Sequence, residues 1–165
     1  MKIAICSSEV VPFAKTGGLA DVAGALPLAL ENLGQEVIVV LPKYSCVTNA
    51  GIPLKKIKTG FYFATIGRNI KVYFIENDRY YDRPGLYGDK DGDYKDNLLR
   101  FSFYCSNALE LLKIIDFHPE VIHCNDWQTV LLPIYLKTRF TKDDFYKKIK
   151  TILTIHNLAY QGLFP

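Results

Sequence analysis

Apolar and polar positions along the chain change period several times, and each change predicts an element. Ile3-Ala4-Ile5-Cys6, within Lys2 to Ser7, is an unbroken apolar run, as is Val37-Ile38-Val39-Val40-Leu41, within Glu36 to Leu41. Short runs without alternation suit parallel strands covered on both faces. Between them, Leu19 to Leu33 reads as helix, with Gly34 placed to cap its end and Pro27 predicting a kink or a shifted start. Residues 54–66 and 70–76 alternate and predict two further strands, joined by a hairpin at Gly67-Arg68-Asn69. Residues 77–96, rich in Asp, Gly and Tyr, read as a long surface loop, and such loops are often functional. Leu98, Phe101, Cys105, Ala108, Leu109, Leu112 and Ile115 then recur at helical spacing and predict a helix with a core-facing stripe. Glu120 to Cys124 reads as a strand, Trp127 to Phe140 as a helix with Asp126 its candidate N-cap, and Thr151 to His156 as another strand. Strands and helices in this alternation argue for an α/β fold with a doubly wound, mostly parallel sheet.

Composition narrows the function. The 165 residues are 49% hydrophobic and 22% charged, which fits one soluble globular domain. A net charge of +3 is too small to argue for nucleic acid, and the Lys/Arg cluster from Lys137 to Lys150 is broken by Asp143 and Asp144. No apolar stretch is long enough to span a membrane, and Met1-Lys2 leads directly into a strand with no signal peptide. Cys6, Cys46, Cys105 and Cys124 are widely spaced and form no C-x-x-C, so they read as reduced thiols of a cytoplasmic protein, with no metal site. Asp89-Lys90-Asp91-Gly92-Asp93 lacks the Gly and Glu of a calcium loop, since Tyr94 and Arg100 stand in those places.

The loop Lys15-Thr16-Gly17-Gly18-Leu19-Ala20-Asp21 carries the most chemistry. It lies between the first strand and the first helix, where unpaired amides and the positive end of the helix dipole attract an anion. Gly17 and Gly18 allow close approach of a phosphate, and Lys15 adds charge, so a diphosphate is the expected ligand; a plain tight turn is the alternative. Lys precedes the glycines, which excludes a Walker loop, and the dinucleotide fingerprint is absent, which disfavours nicotinamide and flavin. Two more strand tips carry polar groups: His123-Cys124-Asn125-Asp126-Trp127 and Thr154-Ile155-His156-Asn157. If the three strands are neighbours, one crevice gathers Glu9, Lys15, Asp126, His156 and Asn157. Each has a plainer reading: Asp126 as a cap, Glu9 as a partner for Lys15, His156 as a structural histidine.

These residues also form a known pattern. Ser8-Glu9, Pro12, Lys15 to Val22 and Gly24-Ala25-Leu26-Pro27 resemble the opening of bacterial glycogen synthases and plant starch synthases. Tyr81-Asp82-Arg83-Pro84-Gly85, Asp96-Asn97 with Arg100-Phe101, His123-x-x-Asp126-Trp127 and Thr154 to Gly162 resemble later segments of that family, in order along the whole chain. The resemblance implies the amino-terminal, acceptor-side Rossmann-like half of a GT-B glycosyltransferase. It implies ADP-glucose or UDP-glucose as donor, an α-1,4-glucan as acceptor, retention of configuration, and neither metal nor cofactor. It further implies that Lys15 and Gly18 lie near the donor diphosphate with Asp21 in the same motif, and that Tyr94 lies near the donor side. Asp126, His156 and Asn157 fall at the reaction centre. The family extends well past residue 165 into a carboxy-terminal nucleotide domain, so the chain reads as part of a longer protein that is inactive alone. A glucan-binding module, or another GT-B enzyme such as a sucrose or trehalose-phosphate synthase, is the alternative.

Overall fold

The computed structural model describes residues 1–164. Its centre is a seven-stranded sheet of β1 (Lys2–Cys6), β2 (Glu36–Pro42), β3 (Lys55–Lys58), β4 (Phe61–Ile66), β5 (Ile70–Ile75), β8 (Val121–Asn125) and β9 (Lys150–Thr154). The order is β3-β4-β5-β2-β1-β8-β9. The run β5-β2-β1-β8-β9 is parallel, and β3 and β4 add to it antiparallel. The expected α/β fold with a mostly parallel sheet is thus present. The two central apolar runs are buried as predicted, with Val39, Val40 and Leu41 wholly inaccessible to solvent.

The chain leaves β1 for β2 and β5 on one side, then returns to lay β8 and β9 on the other. The carboxyl ends of β1 and β8 therefore flank the point where strand order reverses, the place where open α/β sheets bind ligands. Right-handed crossovers put α1 (Gly18–Asn32) on one face and α4 (Asn97–Ile114) with α5 (Leu131–Thr138) on the other, and a single helical turn, α2 (Ser45–Thr48), follows β2.

Four local expectations need correction. Helix α1 continues unbroken through Pro27 and its start is not shifted to it, one turn of its backbone ladder forgoing a donor while the proline is buried. The 54–66 segment is two strands, divided by a turn at Gly60 with φ +86°. The 77–96 loop holds a short helix, α3 (Asp78–Tyr81), and a two-residue hairpin of β6 (Gly88–Asp89) and β7 (Gly92–Asp93). The loop is tightly folded: a Cβ on Gly85 would stand 1.9 Å from the Gly88 carbonyl oxygen. The helix expected over Trp127 to Phe140 splits into a 3-10 turn, Trp127–Thr129, and α5.

Other expectations are met. Gly34, with φ +75°, ends α1 as predicted, its amide bonding Glu31 O at 2.9 Å while Gln35 N bonds Leu30 O at 3.0 Å, a Schellman closure. Helix α4 buries Phe101, Cys105, Ala108, Leu109 and Leu112, although Leu98 faces solvent. Cys6, Cys105 and Cys124 are buried free thiols, and burial pushes the thiol of Cys124 up to about 12. Among the described residues no helix is long and apolar enough to cross a membrane.

Candidate active site

A cleft of about 830 Å³ opens at the switch point, lined by residues following β1, β8 and β9 and by Tyr87 and Asn97 from the long loop and α4. Of the residues singled out in the sequence, it brings together Glu9, Gly17, Gly18, Asp126, His156 and Asn157. Lys15 and Asp21 do not line it; they pair with each other at 2.6 Å on the half-exposed surface beside it. Tyr94 also lies outside the lining, its ring 4.8 Å from the Arg83 guanidinium and 4.9 Å from that of Arg100.

The first wall is the β1 loop. Glu9 is only 3% exposed, and its carboxylate accepts hydrogen bonds from Thr16 N (2.5 Å), Thr16 Oγ1 (2.6 Å), Gly17 N (3.0 Å) and Tyr87 Oη (2.7 Å). This corrects two expectations. Glu9 does not pair with Lys15, and the Gly17 amide serves the protein's own carboxylate instead of facing a phosphate. The physical reason is proximity: a buried carboxylate needs several donors, and the loop amides are the nearest. The Gly18 amide, in the first turn of α1, has no such partner among the described residues, and no side chain caps this helix. Neither glycine is demanded by local packing. Gly17 has φ −147°, and a Cβ on Gly17 or Gly18 would meet nothing within 4 Å. The tight-turn explanation therefore fails, and what the glycines leave is open space above helix-terminal amides, with a lysine beside it.

The second wall is built at the tips of β8 and β9. Asp126 is not a helix cap. Its Oδ1 accepts the backbone N–H of His156 at 2.7 Å, and its own N–H donates to Thr154 O at 2.9 Å. Its backbone has φ 57° and ψ −176°, a region that L-residues other than glycine rarely occupy and that costs roughly 1–3 kcal/mol. Asn125, which carried no role in the sequence reading, is almost wholly buried, and its Nδ2 donates to Cys6 O at 3.0 Å and His123 O at 3.3 Å. Its Oδ1 must then be the acceptor for His156 Nε2, 2.9 Å away. The imidazole Nε2 therefore carries a proton and donates it to Asn125, which leaves Nδ1 as the ring nitrogen facing away from this bond. Behind this wall, His123 Nε2 meets Thr154 Oγ1 at 2.7 Å. Burial, with repulsion from His156 second, lowers the His123 pKa.

Two further lining residues escaped the sequence reading. Tyr87 spans the walls' near end, its hydroxyl 2.7 Å from both Ser8 Oγ and Glu9 Oε1, and burial pushes its pKa well up, so it stays a phenol. Trp127 stacks edge-on with Phe101 at 5.0 Å and Phe164 at 5.2 Å. Segment 157–164 folds across it, and Gly162, with φ +66°, lies so close that a Cβ would stand 2.6 Å from the indole. A Tyr in an Asp/Gly-rich loop gave no local signal; Trp127 stood in the family pattern but without a role. Among the described residues no group of three or more His, Cys, Asp and Glu side chains could hold a metal ion.

With this geometry in hand, the chain can be set beside known proteins. A family model described as the starch synthase catalytic domain matches residues 2–165. Over its full length the chain is 48% identical to a glycogen synthase of Geotalea daltonii and 44% identical to glycogen synthase 2 of Geobacter sulfurreducens. It spans 37% of the length of each of these relatives. Among solved structures it is similar to the catalytic domain of starch synthase IV from Arabidopsis thaliana bound to ADP and acarbose, with a TM-score of 0.81 and 31% identity over 98% of this chain and 34% of that one. A sucrose-phosphate synthase from Thermosynechococcus elongatus shares the fold at a TM-score of 0.60 and 16% identity, over 95% of this chain and 33% of that one. The fold is that of the GT-B glycosyltransferases.

Proposed function

The chain belongs to the starch synthase catalytic domain family, and from that premise we propose that it forms the amino-terminal, acceptor-side half of a cytoplasmic glycogen or starch synthase. The activity proposed is retaining transfer of glucose from ADP-glucose, or UDP-glucose, to the non-reducing end of an α-1,4-glucan. The observation that carries this reading is the convergence of three strand tips on one cleft at the topological switch point, with the open helix terminus at Gly18 on one side and a fixed Asp126–His156 pair on the other.

Breaking the glucose–phosphate bond leaves negative charge on the departing diphosphate. The open helix terminus at Gly18 and the Lys15 ammonium, released from Asp21, stabilise that charge. The buried Glu9 carboxylate repels phosphate from the inner end of the loop, so the diphosphate sits over Gly18 and the sugars lie toward Glu9 and Tyr87. His156, with Nε2 occupied, offers Nδ1 or its backbone carbonyl as an acceptor and so orients a sugar hydroxyl. Asp126 holds the His156 backbone and positions the acceptor hydroxyl at the same face. Tyr87, which lines the cleft, takes the donor-side place expected of Tyr94. Attack from the leaving-group face within an ion pair retains configuration, and the departing phosphate takes the acceptor's proton.

The test is glucose transfer to a maltooligosaccharide by the full-length protein that carries this chain. ADP-glucose or UDP-glucose should support extension, and the 165-residue chain alone should give none. Lys15→Ala and His156→Ala should each lower kcat at least about 100-fold, as loss of one preorganised electrostatic contact does. Near-normal turnover in both would reject the assignment. Glucan affinity without any transfer would favour a binding module.

A further inference from the structure

Arg100 is fully buried, yet among the described residues no carboxylate pairs with it. Its Nε donates to Tyr80 O at 2.7 Å and its Nη1 to Asn97 Oδ1 at 2.6 Å, while Nη2 has no partner among the described residues. A buried, unpaired guanidinium is a costly way to fill a core, because an apolar side chain of similar volume would fit at equal or lower free energy. Its bonds lead to the cleft. Asn97, held by Arg100, donates Nδ2 to Tyr87 O at 2.8 Å, and Tyr87 delivers its hydroxyl to Glu9 Oε1 at 2.7 Å. The same guanidinium lies 4.9 Å from the centre of the Tyr94 ring, and Tyr94 N donates to Tyr87 O at 2.9 Å. Both groups that fix the Tyr87 backbone thus contact Arg100: Asn97 through a hydrogen bond, and Tyr94 through its ring, which also lies 4.8 Å from Arg83.

We infer that Arg100 is a positioning residue that sets Tyr87, and through it the Glu9 carboxylate, at the sugar end of the cleft. This rests on the transferase reading above. Arg100 touches no substrate; it acts through Asn97 and Tyr94. The guanidinium fork is required, because only a planar donor set reaches Tyr80 O and Asn97 Oδ1 at once while lying against Tyr94.

The experiment is a double-mutant cycle in the full-length protein, with wild type first shown to transfer glucose; absence of transfer there would sink the functional reading and overturn this inference with it. Given transfer, Arg100→Met should keep the melting temperature within a few degrees or raise it, yet lower kcat/KM for the glucan by up to about 100-fold, the cost of misplacing a group by about 1 Å. Tyr87→Phe should cost a similar factor, and the double variant no more than the worse single one. Asn97→Asp serves if Arg100→Met fails to fold: it pairs with Arg100 but removes the donor to Tyr87 O, so it should be stable and impaired. A crystal structure of either variant should show Tyr87 Oη withdrawn from Glu9. Additive losses in the cycle, unchanged turnover in Asn97→Asp, or Tyr87 still bonded to Glu9 would each overturn the inference.

Discussion

The two walls of the cleft are built on opposite plans. The β1 wall is finished internally: Glu9 is buried, and its carboxylate meets donors from Thr16, Gly17 and Tyr87. The wall that follows β9 is open. Ile155 is 60% exposed, Leu158 70% and Leu163 88%, and the segment rests on the indole of Trp127 through Gly162. In between, β9 itself is a sheet edge with Ile152 and Leu153 bare. The difference teaches where preorganisation lies. The β1 loop is held in place by the Glu9 hydrogen-bond network, whereas the segment after β9 gains its position from a few apolar contacts, and such segments occupy the low-stability end of a fold.

Three perturbations sharpen that contrast. The largest effect is expected for Glu9→Ala, which strands the Thr16 and Gly17 amides and the Tyr87 hydroxyl without their acceptor. Thr16 and Gly17 are exposed, so water takes over their donors, and the Tyr87 hydroxyl is the group left short of a partner in the interior; at about 1–3 kcal/mol for such a group, urea unfolding should show a loss of roughly 1–3 kcal/mol. A loss within about 0.5 kcal/mol, the range of an ordinary surface change, would mean that this wall is not locked. Gly162→Ala should act locally. Its Cβ collides with the only tryptophan of the chain, and φ +66° strains any side chain, so the fluorescence of Trp127 should shift while the unfolding midpoint barely moves. A large stability loss there would show the outer segment to be as integral as the β1 loop. The smallest effect concerns pH. The folded-state pKa of His123 is depressed, first by burial and then by His156. The unfolded chain therefore binds the proton first, and stability should decline as pH falls below about 6.5 and level off once the folded histidine is itself protonated. His123→Gln should flatten that slope; a slope unchanged by the substitution would assign it to other groups.

The sheet was legible because its central strands are continuous apolar runs and its helices keep clear periods; Gly34 even announced the Schellman closure of α1. Proline was a poorer guide, since burial of the Pro27 ring outweighs one lost ladder bond in α1. The three strand tips could be found from polar residues following apolar runs, and their convergence followed from strand order. What the sequence did not disclose were the partners. Glu9 taking the Gly17 amide, Asn125 fixing the His156 tautomer and Tyr87 reaching across from a distant loop are all contacts between residues far apart in the chain or indifferent to its periodicity. Asp126 shows the same limit: residue type and place suggested a helix cap, and only the backbone angles reveal a strained residue whose carboxylate serves a neighbouring strand.

That strained residue behaves as a sprung catch. Glycine would relax at position 126, but it would release the His156 amide and let the tips of β8 and β9 drift apart. The fold tolerates tension at one α-carbon so that two strand ends keep a fixed spacing, and the force holding the catch shut comes from the Thr154 carbonyl and the Thr129 hydroxyl on either side of it. Relieving the tension and keeping the spacing are thus mutually exclusive at this position, which makes Asp126→Gly a variant in which a calmer backbone and a looser pair of strand ends should arrive together.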